Sequence, residues 1–326
     1  MQRNTNKLLF AFLLLFTLLL GACSNGKPNA NENSLTQANT KTMSTVFGNV
    51  DVPMEPKRIV SVGLEDMLLS LDAPLVQASG TKGDYLYDRL QEKKVPTLNF
   101  SSTPNYEAIL AANPDLIIII DGYVDQAGFE KLSQIAPTLV YDRGDWKTSI
   151  VQIGKAINRE EQANEIIKAY DDKLSKARQT IAQSVGTNKT VTLVRLTDKE
   201  ADVFFPKFPY GGVLYNDLGL KPDVTLTEFQ KTAEEDWGAT LSLEKLPELK
   251  ADYLFVTAGY SASSEEEFQK TLETVKGVES LQVWKAIPAV KQNHTYKVSA
   301  RHWMLNGPIA DSMKIDDVVQ ALTVTK

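Results

Sequence analysis

The sequence predicts an α/β protein with two Rossmann-like lobes, a single long α-helix that joins them, and a ligand cleft between the lobes. Three observations lead to this prediction. Short apolar runs of strand length alternate with helix-like segments in the first part of the chain. A long amphipathic segment without glycine or proline follows, and the alternation then starts again. The length of 326 residues also favours more than one domain.

The N-terminus has the features of a bacterial lipoprotein signal. Arg3 and Lys7 precede the apolar run Leu8–Leu20, whose 13 residues suit a signal peptide better than a membrane span. The motif L-G-A-C that follows resembles a lipobox, in which the cysteine is lipidated and becomes the first residue. We expect residues 1–22 to be removed and Cys23 to carry the lipid. The alternative is an ordinary signal peptide with an incidental cysteine.

Composition divides the rest of the chain into four regions. Residues 23–45 are rich in Asn, Ser and Thr and nearly free of apolar side chains, so we expect a flexible tether there. The N-terminal lobe is expected over residues 46–145, the connecting helices over 146–188, and the C-terminal lobe over 189–326.

The N-terminal lobe is predicted to contain a mainly parallel sheet. Leu116–Ile120 is a continuous apolar run, which is typical of a strand that is covered on both faces. Arg58–Val62, Leu75–Ser79 and Thr138–Tyr141 are further predicted strands, and Glu65–Leu71 is a predicted helix.

Arg159–Val185 is predicted as the helix that joins the lobes. Its apolar residues recur at the 3.6-residue spacing of a helix, and Gly186 follows as a natural stop. At 1.5 Å per residue the helix would be roughly 40 Å long, which is the width of a domain.

The C-terminal lobe repeats the alternation of strands and helices. The predicted strands are Thr190–Leu196, Asp252–Thr257 and Thr295–Ser299. The predicted helices are Gly212–Leu218 and Gly307–Leu322, and Pro308 suits the first turn of the second one.

The two lobes share a pattern of a short helix, a turn and a buried strand. It spans Asn105–Ile120 in the first lobe and Leu243–Val256 in the second, and it places Glu107 and Glu244 at matching positions. The repeat suggests that each lobe presents the same feature to its surroundings.

A purely local role is one interpretation of these two glutamates. Thr103 followed by Pro104 predicts the N-cap of the first helix, and Ser242 predicts that of the second. A carboxylate in a first helical turn, such as Glu107 or Glu244, stabilises the helix dipole by about 0.3–1 kcal/mol.

The mature chain as a whole resembles a known family of transport proteins. The resemblance runs from about Phe47 to the C-terminus and rests on the order and spacing of several segments. These are K-R-I-V-S-V-G-L-E-D (57–66), N-Y-E-A-I-L-A-A-N-P-D-L-I-I (105–118), the long helix after G-K-A-I-N-R-E-E-Q-A (154–163), G-G-V-L-Y-N-D-L-G-L (211–220) and L-S-L-E-K-L (241–246). The chain is similar to the substrate-binding proteins of iron-siderophore and cobalamin ABC importers, which have a rigid helix between two lobes.

The resemblance implies a monomeric binding protein with partners in the membrane. In that family one glutamate on each lobe docks into arginine clusters on the two permease subunits, and an ATPase drives release and transport. Glu107 and Glu244 occupy these positions.

In a two-membrane cell, Ser24 after Cys23 would favour sorting to the outer membrane, away from such a permease. The outer face of a Gram-positive cell membrane is therefore favoured.

The candidate cleft residues follow from the rule that ligands bind at the carboxyl ends of strands in open α/β sheets. Aromatic and cationic side chains in or near the loops at these ends suit a bulky organic ligand with negative charge. These candidates are Lys82, Tyr85, Arg195, Lys207, Tyr210, Trp237, Tyr260, Arg301 and Trp303. A structural salt bridge is an equal interpretation for Arg195, and a place in the core is the alternative for Trp303.

The resemblance implies a ferric siderophore, ferric citrate, haem or cobalamin as cargo. The two candidate cleft arginines favour an anionic ferric complex of hydroxamate or citrate-hydroxamate type. Because a siderophore wraps its iron, we expect neither a protein metal ligand nor a cofactor. His302, close to Met304, leaves haem as an alternative.

Composition and motifs argue against other classes of protein. A net charge of −6 does not indicate nucleic-acid binding. The turn S-V-G-L-E-D has one glycine instead of G-x-G-x-x-G, and no G-x-S-x-G, H-E-x-x-H or P-loop motif occurs, so an enzyme is not expected. Zinc- and manganese-binding lipoproteins use clusters of His and carboxylates, whereas this chain has two histidines.

Overall fold

A computed structural model describes residues 39–99, 103–259 and 264–323 of the chain. The predicted signal peptide, Cys23, most of the predicted tether and Tyr260 lie outside these residues. Within the described ranges, no helix has both the length and the apolar character needed to cross a membrane.

An antiparallel hairpin that the sequence does not predict begins the described chain. β1 (Thr40–Thr45) pairs with β2 (Gly48–Pro53). Met43 and Val52 are buried in the core, and Lys41 Nζ donates to the Lys155 carbonyl at 2.7 Å. Thr40–Thr45 therefore form a packed strand and do not belong to the predicted flexible tether.

The N-terminal lobe is built on a parallel five-stranded sheet. Its strands are β3 (Ile59–Val62), β4 (Leu75–Ser79), β5 (Thr97–Leu98), β6 (Leu116–Ile120) and β7 (Thr138–Tyr141). They lie in the order β5, β4, β3, β6, β7, and all neighbours are parallel. The helices of this lobe are α1 (Glu65–Ser70), α2 (Tyr87–Glu92), α3 (Tyr106–Ala111) and α4 (Gln126–Ser133).

The surroundings of strand β6 explain why its sequence is apolar throughout. Leu116 and Ile118 belong to one hydrophobic core, and Ile117 and Ile119 belong to another. Successive side chains of a strand point to opposite faces, so a strand covered on both faces needs apolar residues at every position.

Two helices connect the lobes. They are α5 (Trp146–Ala156) and α6 (Glu160–Val185), and α6 has 26 residues. The buried residues of α6 are Ala163, Tyr170, Leu174, Ala177 and Ile181, which follow the helical spacing of apolar residues expected from the sequence. The helix ends at Gly186, whose φ of 80° a residue with a side chain rarely adopts.

The C-terminal lobe is built on a mixed sheet. Its strands are β8 (Thr190–Leu196), β9 (Glu200–Phe204), β10 (Lys221–Pro222), β11 (Gly238–Ser242), β12 (Tyr253–Ala258) and β13 (Thr295–Lys297). They lie in the order β11, β9, β8, β12, β13, with β10 beside one end of β8. Strands β8, β10, β12 and β13 are parallel, whereas β9 is antiparallel to both β8 and β11.

The helices of the C-terminal lobe depart in part from the predicted set. They are α7 (Pro209–Gly212), α8 (Val224–Thr232), α9 (Glu265–Ser280), α10 (Gln282–Ala286), α11 (Pro288–Lys291), α12 (Ala300–Trp303) and α13 (Pro308–Thr323). A π-helical turn at Val213–Asp217 continues α7, where the sequence predicts a regular helix. Leu243–Glu248 is a 3-10 helix, and α9, which begins with a capping box at Ser264, is not predicted from the sequence.

Candidate functional site

A cavity of about 170 Å³ lies between the two lobes. The N-terminal lobe and the turn after β7 contribute Gly63, Glu65, Asp66, Ser79, Gly80, Thr81, Asp84, Tyr85, Leu86, Tyr87, Ile120 and Arg143. The C-terminal lobe contributes Tyr210, Met304, Leu305 and Asn306. Sites for drug-sized ligands commonly have roughly 300–1,000 Å³, so this cavity must open to admit a bulky ligand.

The cavity lies at the carboxyl ends of the N-terminal strands, where open α/β sheets bind their ligands. Gly63 follows β3 with a φ of 80°, which permits the sharp turn into α1. Ser79 ends β4, Ile120 ends β6, and Arg143 lies just beyond β7.

Glu65 is a buried carboxylate that joins two of the cavity loops. It accepts hydrogen bonds from the backbone N–H groups of Gly63 and Ser79, both at 2.9 Å. Burial raises the pKa of Glu65, and these hydrogen bonds oppose the rise. The carboxylate therefore holds the wall of the cavity together.

Asp66 links the N-terminal lobe to the start of α13. Its two carboxylate oxygens accept from the backbone N–H groups of Ile309 and Ala310, both at 2.8 Å, and Tyr85 Oη also donates to it at 2.8 Å. A Cβ atom at residue 307 would collide with Asp66, so Gly307 permits this approach. Burial raises the pKa of Asp66 to about 6.

Arg301, a predicted ligand residue, forms an ion pair across the lobes. Its side chain is 4% exposed, and Nη1 lies 2.8 Å from Asp84 of the N-terminal lobe. Nη2 lies 3.2 Å from Glu265 of α9. Burial raises the pKa of Asp84, and the Arg301 guanidinium partly offsets that rise. In this structure Arg301 contacts two carboxylates instead of the cavity.

Trp303 lies in the core, which is the alternative considered from the sequence. It is fully buried, stacks on Phe255 with ring centroids 5.4 Å apart, and donates from Nε1 to Asp317 at 2.7 Å. The same carboxylate lies 2.7 Å from Nε2 of His302. Neither Trp303 nor His302 lines the cavity.

Arg195 forms the structural salt bridge that was one of its two interpretations. Asp202 on the neighbouring strand lies 3.0 Å from Nε and 2.5 Å from Nη2. The other oxygen of Asp202 accepts from Thr240 Oγ1 at 2.7 Å. Both partners of the ion pair are largely buried.

Aromatic side chains cluster in the C-terminal lobe around Phe204. Phe208, Tyr210 and Trp237 have ring centroids 6.0, 5.6 and 5.9 Å from that of Phe204. Tyr210 lines the cavity, whereas Trp237 and the exposed Lys207 lie outside its wall. The predicted residues Tyr85 and Tyr210 are thus brought together at the cavity from opposite lobes.

Arg143 is a cavity residue that the sequence analysis missed. It is half-buried, and within the described ranges it makes no hydrogen bond or ion pair. Its position just beyond β7 is the signal that could have identified it, because the same strand-end rule applies there. Lys82, which is predicted from that rule, is exposed and does not line the cavity.

Glu107 and Glu244 are both exposed, one on each lobe. Neither carboxylate forms a hydrogen bond or an ion pair with any other residue that the structure describes.

The predicted caps need correction: Asn105 caps α3 by accepting from the Ala108 N–H at 3.0 Å, in place of Thr103. Ser242 occupies the N-cap of the 3-10 helix but makes no capping hydrogen bond.

The aspartate that precedes the buried strand in each repeated segment has a structural role. Asp115 accepts from the backbone N–H groups of Lys57 and Arg58 at 2.7 and 2.9 Å, at the start of β3. Asp252 accepts from the Thr190 N–H at 2.8 Å, at the start of β8. Each aspartate ties its strand to the parallel neighbour, so the repeat reflects equivalent positions in the two lobes.

Comparisons with known proteins agree with this geometry. A family described as "Periplasmic binding protein" matches residues 66–301. "Probable siderophore-binding lipoprotein YfiY" of Bacillus subtilis is 30% identical over 331 residues, which cover 98% of each chain. "Iron(3+)-hydroxamate-binding protein FhuD" of the same organism is 29% identical over 319 residues, which cover 96% of each chain.

A solved structure supports the fold. It is a FhuD fold-family periplasmic binding protein component of a Fep/Fec-like ferrichrome ABC transporter from Bacillus subtilis. It matches with a TM-score of 0.71 and 26% identity, covering 86% of this chain and 100% of its own. The predicted fold class, two α/β lobes with a long connecting helix, is confirmed.

Proposed function

Because this chain belongs to the periplasmic binding protein family, we propose that it captures a ferric siderophore outside the cell and delivers it to an ABC permease for iron uptake. The observation that carries this proposal is the cavity between the lobes, whose wall contains the aromatic residues Tyr85 and Tyr210 and the cation Arg143. Aromatic rings provide apolar walls for an organic ligand, and a guanidinium pairs with its oxygens. The relative named "Probable siderophore-binding lipoprotein YfiY" matches over nearly the whole chain, which supports the same cargo.

Within the siderophores, the charges of the site favour a ferric hydroxamate. Arg195 and Arg301 are paired with carboxylates, so they no longer argue for an anionic complex. Glu65, Asp66 and Asp84 place carboxylates in the wall, and Arg143 is the one cation among the described residues that line it. Three hydroxamates neutralise the charge of Fe³⁺, so a trihydroxamate complex suits this wall better than a citrate complex. The name of the relative FhuD points to the same ligand class.

Haem is a weaker candidate for this cavity. His302, the histidine considered as an axial ligand, is buried against Asp317 and does not face the cavity. In our proposal the siderophore holds the iron, and the protein supplies neither a metal ligand nor a cofactor nor a catalytic group.

Glu107 and Glu244 are the groups that we propose to dock with the permease. A two-lobed protein that sits across a two-subunit permease needs one anchor on each lobe. Both carboxylates are exposed and held on short helices, so arginines of a partner can approach them. The associated ATPase would then drive release of the cargo.

The lipid on Cys23 is the proposed membrane anchor. It would hold the protein on the outer face of the cell membrane, as in a Gram-positive cell, close to the permease.

Native mass spectrometry tests the proposed cargo. The protein should gain the mass of one intact ferric trihydroxamate, with iron and siderophore together, after incubation with ferrioxamine B. Zinc and manganese salts serve as comparison ligands. An adduct of bare iron, zinc or manganese, with none of the ferric siderophore, would contradict the proposal.

A further inference from the structure

Two carboxylates of the N-terminal lobe reach the C-terminal half of the chain, and their surroundings differ. Asp66 binds the start of α13, and Asp84 binds Arg301, which lies in α12. Both carboxylates line the cavity between the lobes. Because the cavity must open for a bulky ligand, the order in which these contacts break determines how it opens.

The Asp66 contact is suited to persist during opening. Both oxygens accept hydrogen bonds from backbone N–H groups, and the residue is 4% exposed. Separation would leave the N–H groups of Ile309 and Ala310 without these acceptors, which is costly for buried groups. Asp66 therefore fixes the base of the cleft.

The contact between Asp84 and Arg301 is suited to break. The Asp84 side chain is 18% exposed, and Arg301 has a second carboxylate partner, Glu265, on its own lobe. The guanidinium also lies 4.4 Å from the centre of the Phe268 ring. Arg301 would thus keep a counter-charge and a packing partner after Asp84 leaves, so no isolated buried charge would result.

The loop that carries Asp84 comes very close to the C-terminal lobe. Thr81 N–H donates to Asp84 Oδ2 at 2.7 Å, which shapes the turn and presents Oδ1 to Arg301. Gly83 has a φ of 93°, and a Cβ atom there would collide with Glu265. The loop also supplies Thr81, Asp84 and Tyr85 to the cavity wall, so its displacement would open the cavity.

We propose that the ion pair between Asp84 and Arg301 is a latch that holds the loop 81–85 against the C-terminal lobe and that must open for cargo to enter or leave. This inference rests on the proposed function, since it treats the cavity as the ligand site. Arg301 acts as a positioning residue: it controls access to the cavity without contacting the ligand. The latch sets both the association rate and the dissociation rate of the ferric siderophore.

Three single variants of the full protein separate the latch from local effects. Asp84→Asn removes the charge but keeps an acceptor for the Thr81 N–H. Arg301→Gln removes the cation and leaves the loop unchanged. Asp88→Asn is the matched control, since Asp88 is an exposed acid in the first turn of α2.

Hydrogen exchange without ligand is the first measurement. Backbone amides in residues 81–86 should exchange on the order of tenfold faster in Asp84→Asn and in Arg301→Gln, and the Asp84→Asn/Arg301→Gln double variant should add little. Asp88→Asn should match the wild type. Faster amide exchange in Asp84→Asn alone would contradict the proposed latch. Amide exchange that is accelerated equally throughout both lobes would also contradict it.

Stopped-flow binding of ferrioxamine B is the second measurement. Both latch variants should release the ligand on the order of tenfold faster than the wild type and should also bind it faster. Wild-type rates in both variants would overturn the inference. If the wild-type protein binds no ferrioxamine B, the proposed function fails for this cargo, and the exchange experiment still decides whether the latch exists.

Discussion

At the scale of single residues, the structure gives the arginines of this protein different roles. Arg143 faces the cavity and makes no hydrogen bond or ion pair with the described residues, whereas Arg195 and Arg301 are paired with carboxylates. The sequence placed Arg195 and Arg301 near strand ends, but their carboxylate partners depend on the fold. Arg301 and Asp84 are 217 residues apart, so no local pattern could reveal their contact.

Removal of Arg143 and removal of Arg195 should have opposite consequences. Arg143→Gln should weaken binding of a ferric hydroxamate about tenfold or more and leave the free energy of unfolding nearly unchanged, because it removes a cation from the cavity wall. Arg195→Gln should lower the free energy of unfolding by about 3 kcal/mol, because Asp202 remains buried without its counter-charge. Ligand titration and urea unfolding of both variants measure this contrast. The reverse pattern would show that the two roles are assigned wrongly.

Asp66 should make the stability of the protein depend on pH. Burial raises its pKa from 3.8 to about 6, so the folded protein holds this proton more tightly than the unfolded chain does. The resulting stabilisation is fully present below pH 3.8 and is lost as the pH rises through 6. The full shift corresponds to roughly 3 kcal/mol.

The variant Asp66→Asn isolates this contribution. The stability of the wild type relative to Asp66→Asn should be greatest below pH 3.8 and should have fallen from that maximum by roughly 3 kcal/mol at pH 7. Urea unfolding of both proteins at a series of pH values gives the difference. A difference that is independent of pH, or that grows as the pH rises, would contradict the environment assigned to Asp66.

At the scale of helices and strands, the local sequence predicted the buried strands best. The bounds of β4, β6, β7 and β8 agree with the predicted ones, because short segments rich in apolar and β-branched residues are recognisable without knowledge of the fold. The hairpin strand β1, T-K-T-M-S-T, has one large apolar side chain, so its pairing with β2 gives no strong local signal. In the same way, Asn105 replaces Thr103 as the cap of α3 through backbone geometry that local sequence does not fix.

The two short helices that carry Glu107 and Glu244 provide a test of docking. Glu107→Lys combined with Glu244→Lys should abolish uptake of iron by cells that lack the native copy, because like charges would face the proposed arginines of the permease. The affinity for the ferric siderophore should stay unchanged, since neither residue lines the cavity. Uptake of radiolabelled ferrioxamine B and a parallel binding titration measure the two effects.

The matched control for docking reverses two other exposed acids, Glu92→Lys in the N-terminal lobe and Glu234→Lys in the C-terminal lobe. This control double variant changes the net charge by the same amount as the docking variant. It should preserve uptake if docking depends on the positions of Glu107 and Glu244 and not on net charge. Normal uptake by the Glu107 and Glu244 double variant, or an equal loss in the control, would refute docking through these two carboxylates.

At the scale of the whole molecule, one helix and one buried contact limit how the lobes can move. Helix α6 spans 26 residues between the lobes, and Asp66 fixes the N-terminal lobe to the start of α13. The cavity of about 170 Å³ is small for a ferric siderophore, so opening has to occur through smaller changes near the loop 81–85. The sequence predicted the two lobes and the long connecting helix. The closed cleft could not be predicted, because it depends on contacts between segments that are distant in the sequence.

The most direct test of the central claim is a fluorescence titration of the purified protein with a panel of iron complexes. The panel contains a ferric trihydroxamate, a ferric catecholate, ferric citrate and haem, each beside its iron-free form. We predict that the ferric trihydroxamate binds with a dissociation constant below about 1 μM and at least about tenfold more tightly than the other complexes. No binding of any ferric siderophore, or tighter binding of haem, would contradict the function proposed for this protein.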